Sequence, residues 1–122
     1  MRLLLFFCFS FLCCFSQNQY PKDYFRSPLD IPLQSSGTFG ELRGNHFHSG
    51  LDYKTQQRTG LPVFAVADGY VSRIKVSTFG YGHALYITHP NGVTTVYGHL
   101  KAYSGKIGEY VRKKQYAQKK FE

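Results

Sequence analysis

Short β-rich runs separated by tight-turn dipeptides constrain the fold more than any other feature of this sequence. The runs VFAVA and YVSRIKV lie on either side of Asp68-Gly69, and HALYITH and VTTVYGHL flank Pro90-Asn91-Gly92. Asp-Gly and Asn-Gly both favour tight turns between antiparallel strands. Together with 12 glycines, this spacing predicts an antiparallel sheet and does not favour βαβ units.

A single helix is predicted, in the C-terminal stretch SGKIGEYVRKKQYAQKKFE. Ser104 can cap its N-terminus. Several apolar residues then fall near one face, opposite a set of cations: Ile107, Tyr110, Val111 and Ala117. Gly108 disfavours the helix, and the sequence ends at Glu122 with no closing strand. The predicted fold class is all-β, a compact antiparallel β-sheet domain with one short C-terminal helix, incomplete at its C-terminal end.

The N-terminal residues have the character of a signal peptide. Met1-Arg2 is followed by an apolar run, LLLFFCFSFLCCFS, that ends at Ser16. The run is shorter than the roughly 20 residues that span a bilayer, and it suits the apolar region of a signal peptide cleaved before Gln17. We therefore predict a signal peptide at 1–16 and export to the periplasm, the cell envelope or the extracellular space. A retained anchor, or lipidation at Cys13 or Cys14, is the alternative.

All three cysteines fall inside that run. The rest of the chain therefore has no disulfide, no thiolate ligand and no cysteine nucleophile, so a metal would have to use His, Asp or Glu. Residues 17–36 contain three prolines and no clear period, which predicts an extended N-terminal arm. Residues 37–122 are predicted to form one domain.

The chain is basic, with a formal net charge of +8. Such a surface favours polyanionic partners. Export argues against nucleic acid as the partner and for an acidic polymer of the cell envelope. The signal segment is then the expected membrane contact of the chain. Much of the charge lies in Arg112-Lys113-Lys114 and Lys119-Lys120, which a solvated helix face would also explain.

The stretch NHFHSGLD carries the main candidate site. His48 and Asp52 form an H-x-x-x-D pattern, and imidazole nitrogen and carboxylate oxygen both suit Zn²⁺. Taken alone the pattern is weak, and its spacing by itself favours a surface or core histidine over a metal ligand. A second candidate is His99, in YGHL. A two-residue turn at Asn91-Gly92 would pair Tyr86 with Tyr97 and Ala84 with His99, giving His99 a polar face; a structural strand histidine is the alternative.

Four motifs in order resemble the lysostaphin/LytM-type zinc metallopeptidases, which cut peptides in peptidoglycan: GTFGELRGNHFHSGLD, GLPVFAVADGYV, GYGHALYITHPNG and TVYGHL. The resemblance implies a compact antiparallel β domain in which His48 and Asp52 are zinc ligands. It also implies that His99 helps to activate the water or to stabilise the transition state. Peptidoglycan peptides are the substrate that it implies.

The family's third motif, H-x-H, is absent, because no histidine follows His99. His46-Phe47-His48 belongs to the first motif and cannot replace it. By resemblance, two of the three expected Zn²⁺ ligands are present and one catalytic histidine is missing, so we expect a truncated chain with little or no hydrolase activity. The alternative is a non-catalytic, degenerate domain that binds peptidoglycan or regulates a partner wall hydrolase. A basic polyanion-binding β domain is a third interpretation.

Overall fold

The computed structural model describes residues 22–122. The predicted signal peptide at 1–16, and the first residues of the predicted arm, lie outside the described residues.

The described residues form two small antiparallel sheets followed by a helix. The elements are β1 (Ser35–Gly37), β2 (Asp52–Tyr53), β3 (Tyr70–Lys75), β4 (Ala84–Thr88), β5 (Thr94–Tyr97) and α1 (Gly105–Gln118). Strand β1 pairs with β2, and the second sheet has the order β3-β4-β5. The predicted class, antiparallel sheet with a single C-terminal helix, is confirmed.

The register of the β4–β5 hairpin differs by one residue from the prediction. Leu85 pairs with Tyr97 and Ile87 with Thr95, so the predicted pairing of Tyr86 with Tyr97 is wrong. The cause is the turn, in which His89 N–H donates to the carbonyl of Val93 at 2.9 Å. The loop is therefore three residues long, with Gly92 at φ +82°, the geometry of a turn closed by a left-handed residue. A slip of one residue exchanges the two faces, so the predicted polar face for His99 is also wrong.

The apolar run before Asp68-Gly69 is not a strand. Residues 63–67 lie outside every strand, while the second run forms β3 as predicted. The segment instead pairs irregularly with the N-terminal arm: Phe64 N–H donates to the carbonyl of Pro28 at 2.9 Å, and Arg26 N–H donates to that of Val66 at 2.7 Å. These hydrogen bonds satisfy backbone groups of the run without making it a strand of either sheet.

The core of the described chain is small. Its buried apolar residues are Leu29, Ala84 and Ile87. His89 is buried beside them, with only 3% of its surface exposed. Its Nδ1 lies 2.7 Å from the carbonyl oxygen of Asp68, and its Nε2 lies 2.8 Å from the hydroxyl of Thr95. Because both ring nitrogens have partners, His89 links β4, β5 and the turn before β3 as a structural residue.

Helix α1 is attached to the three-stranded sheet through the residues that precede it. The Tyr103 hydroxyl donates to the carbonyls of Lys75 at 2.5 Å and Ala84 at 3.1 Å. Gly108 packs against the backbone carbonyl of Tyr103, where a Cβ atom would collide, and this explains a glycine inside the helix. Ser104 occupies the N-cap position as predicted, although among the described residues its side chain makes no capping hydrogen bond.

The predicted apolar face of α1 is only partly covered. Ile107 and Val111 are half-buried, whereas Tyr110 and Ala117 are exposed. Within residues 22–122, no helix has the length and apolar character needed to cross a membrane.

Candidate metal-binding and catalytic site

A closed loop between β1 and β2 carries the first candidate residue. The loop folds back on itself, since Gly40 N–H donates to the carbonyl of His48 at 2.7 Å and His48 N–H donates to that of Glu41 at 2.8 Å. Leu42 and Phe47 form an isolated β-bridge within it. His48 is therefore held on the returning limb, four residues before Asp52 at the start of β2.

The side chains of His48 and Asp52 converge. His48 Nε2 lies 3.3 Å from Asp52 Oδ1, and the two side chains are 16% and 39% exposed. His48 Nδ1 lies 3.0 Å from the carbonyl oxygen of Thr38. A carbonyl can only accept, so Nδ1 carries a proton and donates it to Thr38, while Nε2 is the ring nitrogen that faces Asp52.

This geometry fits two ligands of one zinc ion. Zn–N and Zn–O bonds of about 2.1 Å at a tetrahedral angle place the two donor atoms about 3.4 Å apart, close to the 3.3 Å between Nε2 and Oδ1. A ligating histidine usually donates its other N–H to a carbonyl or carboxylate, as His48 does to Thr38. The family resemblance predicts these two residues as ligands, and the fold brings their side chains together.

Arg43 contacts the same carboxylate. Its Nη2 donates to Asp52 Oδ2 at 2.7 Å and to Glu41 Oε2 at 3.1 Å. The Arg43 hydrogen bond is the largest cause that holds the pKa of Asp52 below its ordinary value. Positive charge on His48 and on His99 lowers that pKa further, against the opposing effect of burial. Asp52 is thus kept as the anion that a metal ligand must be.

His99 follows β5 in an unusual backbone conformation. Its φ is +55°, which lies in the left-handed region that non-glycine residues rarely adopt. Its N–H donates to the carbonyl of Tyr81 at 2.8 Å. The next residue, Leu100, exchanges hydrogen bonds with His83, whose Nδ1 donates to the Leu100 carbonyl at 3.1 Å. Strained residues of this kind often mark functional sites.

His99 and Asp52 lie along one open groove, with Leu51, Tyr53 and Gly98 among the other lining residues. The charge of His99 acts on the Asp52 carboxyl, so the two are within electrostatic range. The fold thus brings the three residues chosen from the sequence into one region, although His99 reaches it through its strained turn and not through the predicted sheet face.

Two contact residues were missed by sequence reasoning. Tyr81 packs its ring against His99 with 6.4 Å between centroids. Its hydroxyl lies 2.5 Å from that of Ser49, so it connects the loop of His48 to the turn of His99. Arg43 was the second. The signal that could have identified Arg43 is its place as a lone cation between Gly40 and Gly44, just before the two candidate ligands.

The remaining histidines have other environments. His46 is exposed, with Nδ1 2.7 Å from Asn45 Oδ1, whereas His83 and His89 bind backbone carbonyls. Within residues 22–122 there is no group of three or more His, Cys, Asp and Glu side chains able to hold a metal. The two predicted ligands, His48 and Asp52, approach each other to 3.3 Å.

Residues 46–117 match the sequence profile of peptidase family M23. The chain belongs to this family. The matched region includes His48, Asp52 and His99, and the resemblance to LytM-type peptidoglycan metallopeptidases is confirmed. No solved structure matches the chain significantly.

Curated relatives agree with the M23 assignment. A 61-residue stretch is 49% identical to DD-carboxypeptidase/endopeptidase Mpg of Neisseria meningitidis, covering 50% of this chain and 14% of that protein. The chain is 33% identical over 102 residues to peptidoglycan DD-endopeptidase ShyC of Vibrio cholerae, covering 77% of this chain and 22% of that protein. An uncharacterized metalloprotease of Haemophilus influenzae is 32% identical over 98 residues, covering 75% of this chain and 20% of that protein. The chain thus spans less than a quarter of the length of these relatives.

Proposed function

We propose that this chain belongs to an exported zinc metalloendopeptidase that hydrolyses cross-linking peptides of bacterial peptidoglycan. The single observation that carries the proposal is the convergence of His48 Nε2 and Asp52 Oδ1 at 3.3 Å, in a chain of family M23. The two relatives named as peptidoglycan or DD-peptidases support peptidoglycan as the substrate class and the cell envelope as the place of action.

Each candidate residue has a distinct role in this proposal. His48 and Asp52 hold Zn²⁺ through Nε2 and Oδ1, while Thr38 fixes the imidazole tautomer by accepting the Nδ1 proton. When bound, zinc supplies a Lewis acid that polarises the scissile carbonyl. His99 moves a proton or stabilises the oxyanion from the neighbouring turn. Its backbone contact with Tyr81 fixes that turn.

The domain organisation and export are part of the same proposal. Residues 1–16 serve as a signal peptide, 17–36 as an extended arm and 37–122 as the metallopeptidase domain. The net charge of +8 suits an acidic envelope polymer. Nucleic acid is not a partner, and the signal segment is the chain's membrane contact.

The 122-residue chain by itself has little or no hydrolase activity in this proposal. Two donors hold zinc weakly, because a catalytic zinc site needs three protein ligands and an open position for water. The described residues contain no group of three potential metal ligands. This favours a second candidate function, a non-catalytic domain that binds peptidoglycan or regulates a partner wall hydrolase.

Equilibrium dialysis of the full chain against Zn²⁺, with metal measured by atomic absorption, tests the assignment. We expect H48A and D52A each to weaken binding by about 100-fold, since each removes one of two protein ligands. H46A is the matched control, because His46 is an exposed neighbour that contacts only Asn45 among the described side chains. Equal binding by H48A and wild type would contradict the metal site.

Incubation with purified peptidoglycan tests the predicted inactivity. Muropeptides released by the wild-type chain with Zn²⁺ should not exceed those released by D52A. Zinc-dependent release above that level would show that the chain is a working hydrolase. Zinc-independent sedimentation with peptidoglycan, equal for wild type and D52A, would favour the binding function.

A further inference from the structure

Arg43 joins two carboxylates across the loop that carries His48. One nitrogen, Nη2, donates to Asp52 Oδ2 at 2.7 Å and to Glu41 Oε2 at 3.1 Å. Its Nε atom is buried with no hydrogen-bond partner among the described residues. The two carboxylates therefore hold the guanidinium in place, although this leaves Nε unsatisfied.

The backbone is shaped around this contact. Gly37 is buried and pairs with Asp52 across the β1–β2 ladder, where the register shifts. A Cβ atom at Gly37 would lie 2.5 Å from Arg43 Nη2 and 2.6 Å from Asp52 Oδ2. Only a residue without a side chain leaves room for the Arg43–Asp52 pair.

Stability alone is a weak explanation for this arrangement. The side chains of Arg43 and Asp52 are 38% and 39% exposed, and ion pairs with such exposure contribute little to folding. The geometric consequence is larger. With Oδ2 fixed by Arg43, the other oxygen, Oδ1, faces His48 Nε2.

We propose that Arg43 is a positioning residue, which holds Asp52 by Oδ2 so that Oδ1 is presented beside His48 Nε2 to bind the metal. Gly37 provides the space for it. This inference rests on the proposed function, because it requires that His48 and Asp52 bind Zn²⁺. Partners of ligating carboxylates commonly affect metal affinity in this way.

Whether removal of Arg43 weakens or tightens Zn²⁺ binding distinguishes a positioning role from a purely electrostatic one. Arg43 is a cation next to a cation-binding site, so its removal should tighten Zn²⁺ binding if it acted only through its charge. Removal should also tighten binding if Arg43 merely competed with the metal for Asp52. Positioning predicts the opposite, because the carboxylate loses its fixed orientation.

The experiment is a Zn²⁺ titration of the full chain, followed through the His48 ring nitrogens in long-range ¹H–¹⁵N NMR spectra. This gives a site-specific dissociation constant without any activity measurement. We expect Arg43→Met to weaken binding roughly ten-fold. Arg43→Lys, which keeps one donor for Oδ2, should recover part of the loss, and Gly37→Ala should resemble Arg43→Met. Arg26→Met is the control, because it removes an exposed ion pair to Asp30 and should change nothing.

The outcomes distinguish this inference from the proposed function. If Asp52→Ala weakens binding but Arg43→Met leaves it equal or tighter, Arg43 is not a positioning residue while the metal pair stands. If wild-type His48 does not respond to Zn²⁺, both ideas fall. If Arg43→Met does not fold, the Arg43→Lys variant decides. Zinc binding about three-fold weaker than wild type supports positioning, because a single flexible donor holds Oδ2 less well than a guanidinium does. Unchanged or tighter zinc binding overturns the inference.

Discussion

His48 and His89 both donate from Nδ1 to a backbone carbonyl, yet their second nitrogens differ. His89 Nε2 contacts the Thr95 hydroxyl, inside a buried cluster closed by the rings of Tyr24 and Phe25. His48 Nε2 instead faces the carboxylate of Asp52 at the protein surface. In our proposal, a histidine with partners at both ring nitrogens stabilises the fold, whereas His48, whose Nε2 faces a carboxylate, binds the metal. The following substitutions test that division.

The largest stability effect should come from His89→Ala. The substitution removes the hydrogen bonds to the Asp68 carbonyl and to the Thr95 hydroxyl, which keeps Tyr97 as a partner. It also opens a cavity, so the free energy of unfolding should fall by about 3 kcal/mol. Urea denaturation followed by circular dichroism measures this. His48→Ala, which removes one hydrogen bond at the surface, should lower it by about 1 kcal/mol or less. Equal losses in the two variants would erase the proposed difference between them.

Gly69→Ala tests the packing of the turn onto the His89 cluster. A Cβ atom there would lie 2.6 Å from the carbonyl oxygen of Thr88 and 2.8 Å from Ile87 Cγ2. The free energy of unfolding should decrease by about 2 kcal/mol, because backbone must move to relieve the overlap. Gly44→Ala, in the loop that carries His48, is the matched control. No atom lies within 4 Å of a Cβ at Gly44, so a change of about 0.5 kcal/mol or less is expected there.

Tyr103→Phe removes the hydroxyl that attaches α1 to β3 and β4, with an expected loss of about 1.5 kcal/mol. Tyr116→Phe, at a side chain that is 83% exposed, is its control. Burial raises the pKa of Tyr103. The neutral form is thus favoured in the folded state, so its contribution is complete below the ordinary pKa of about 10 and is lost as the pH rises through the raised value.

This pH dependence is measured by comparing wild type and Tyr103→Phe from pH 9 upward. The wild type should lose more stability than the variant in that range. Parallel curves for the two proteins would show that Tyr103 does not titrate differently in the folded and unfolded states.

The smallest effect is expected for Tyr81→Phe, which removes the hydroxyl contact to Ser49. Both side chains are exposed, so the free energy of unfolding should change by only about 0.5 kcal/mol. The turn of His99 should nevertheless lose its connection to the loop of His48. Changes of amide chemical shift confined to these two segments would support this connection, and Tyr70→Phe, at an exposed residue of β3, is the control.

The sequence predicts elements and ligand types better than it predicts register and contacts. The strands β3, β4 and β5 follow from β-rich runs between turn residues, and the family resemblance at the H-x-x-x-D motif predicts His48 and Asp52 as ligands. The hairpin register was wrong because the Asn91-Gly92 dipeptide does not determine whether Pro90 belongs to the loop. The apolar run 63–67 does not form a strand; it pairs irregularly with the N-terminal arm, which is far away in sequence.

The contacts around the site depend on the closed fold. Arg43 meets Asp52 across 9 residues and Ser49 meets Tyr81 across 32, and no local period predicts either pair. His99 lies near Asp52 through a left-handed turn, which its residue type does not favour. Sequence motifs therefore predict the donors, and tertiary structure determines the contacts that surround them.

The most direct test of the metal pair is the ring-nitrogen NMR spectrum of all five histidines during a Zn²⁺ titration of the full chain. The proposed site predicts that His48 Nε2 shifts first and most, that Asp52→Ala abolishes this response, and that His89 does not respond while the protein stays folded. A first response at His46, His83 or His89, or an unchanged His48 response in Asp52→Ala, would contradict the assignment of His48 and Asp52 as the metal pair.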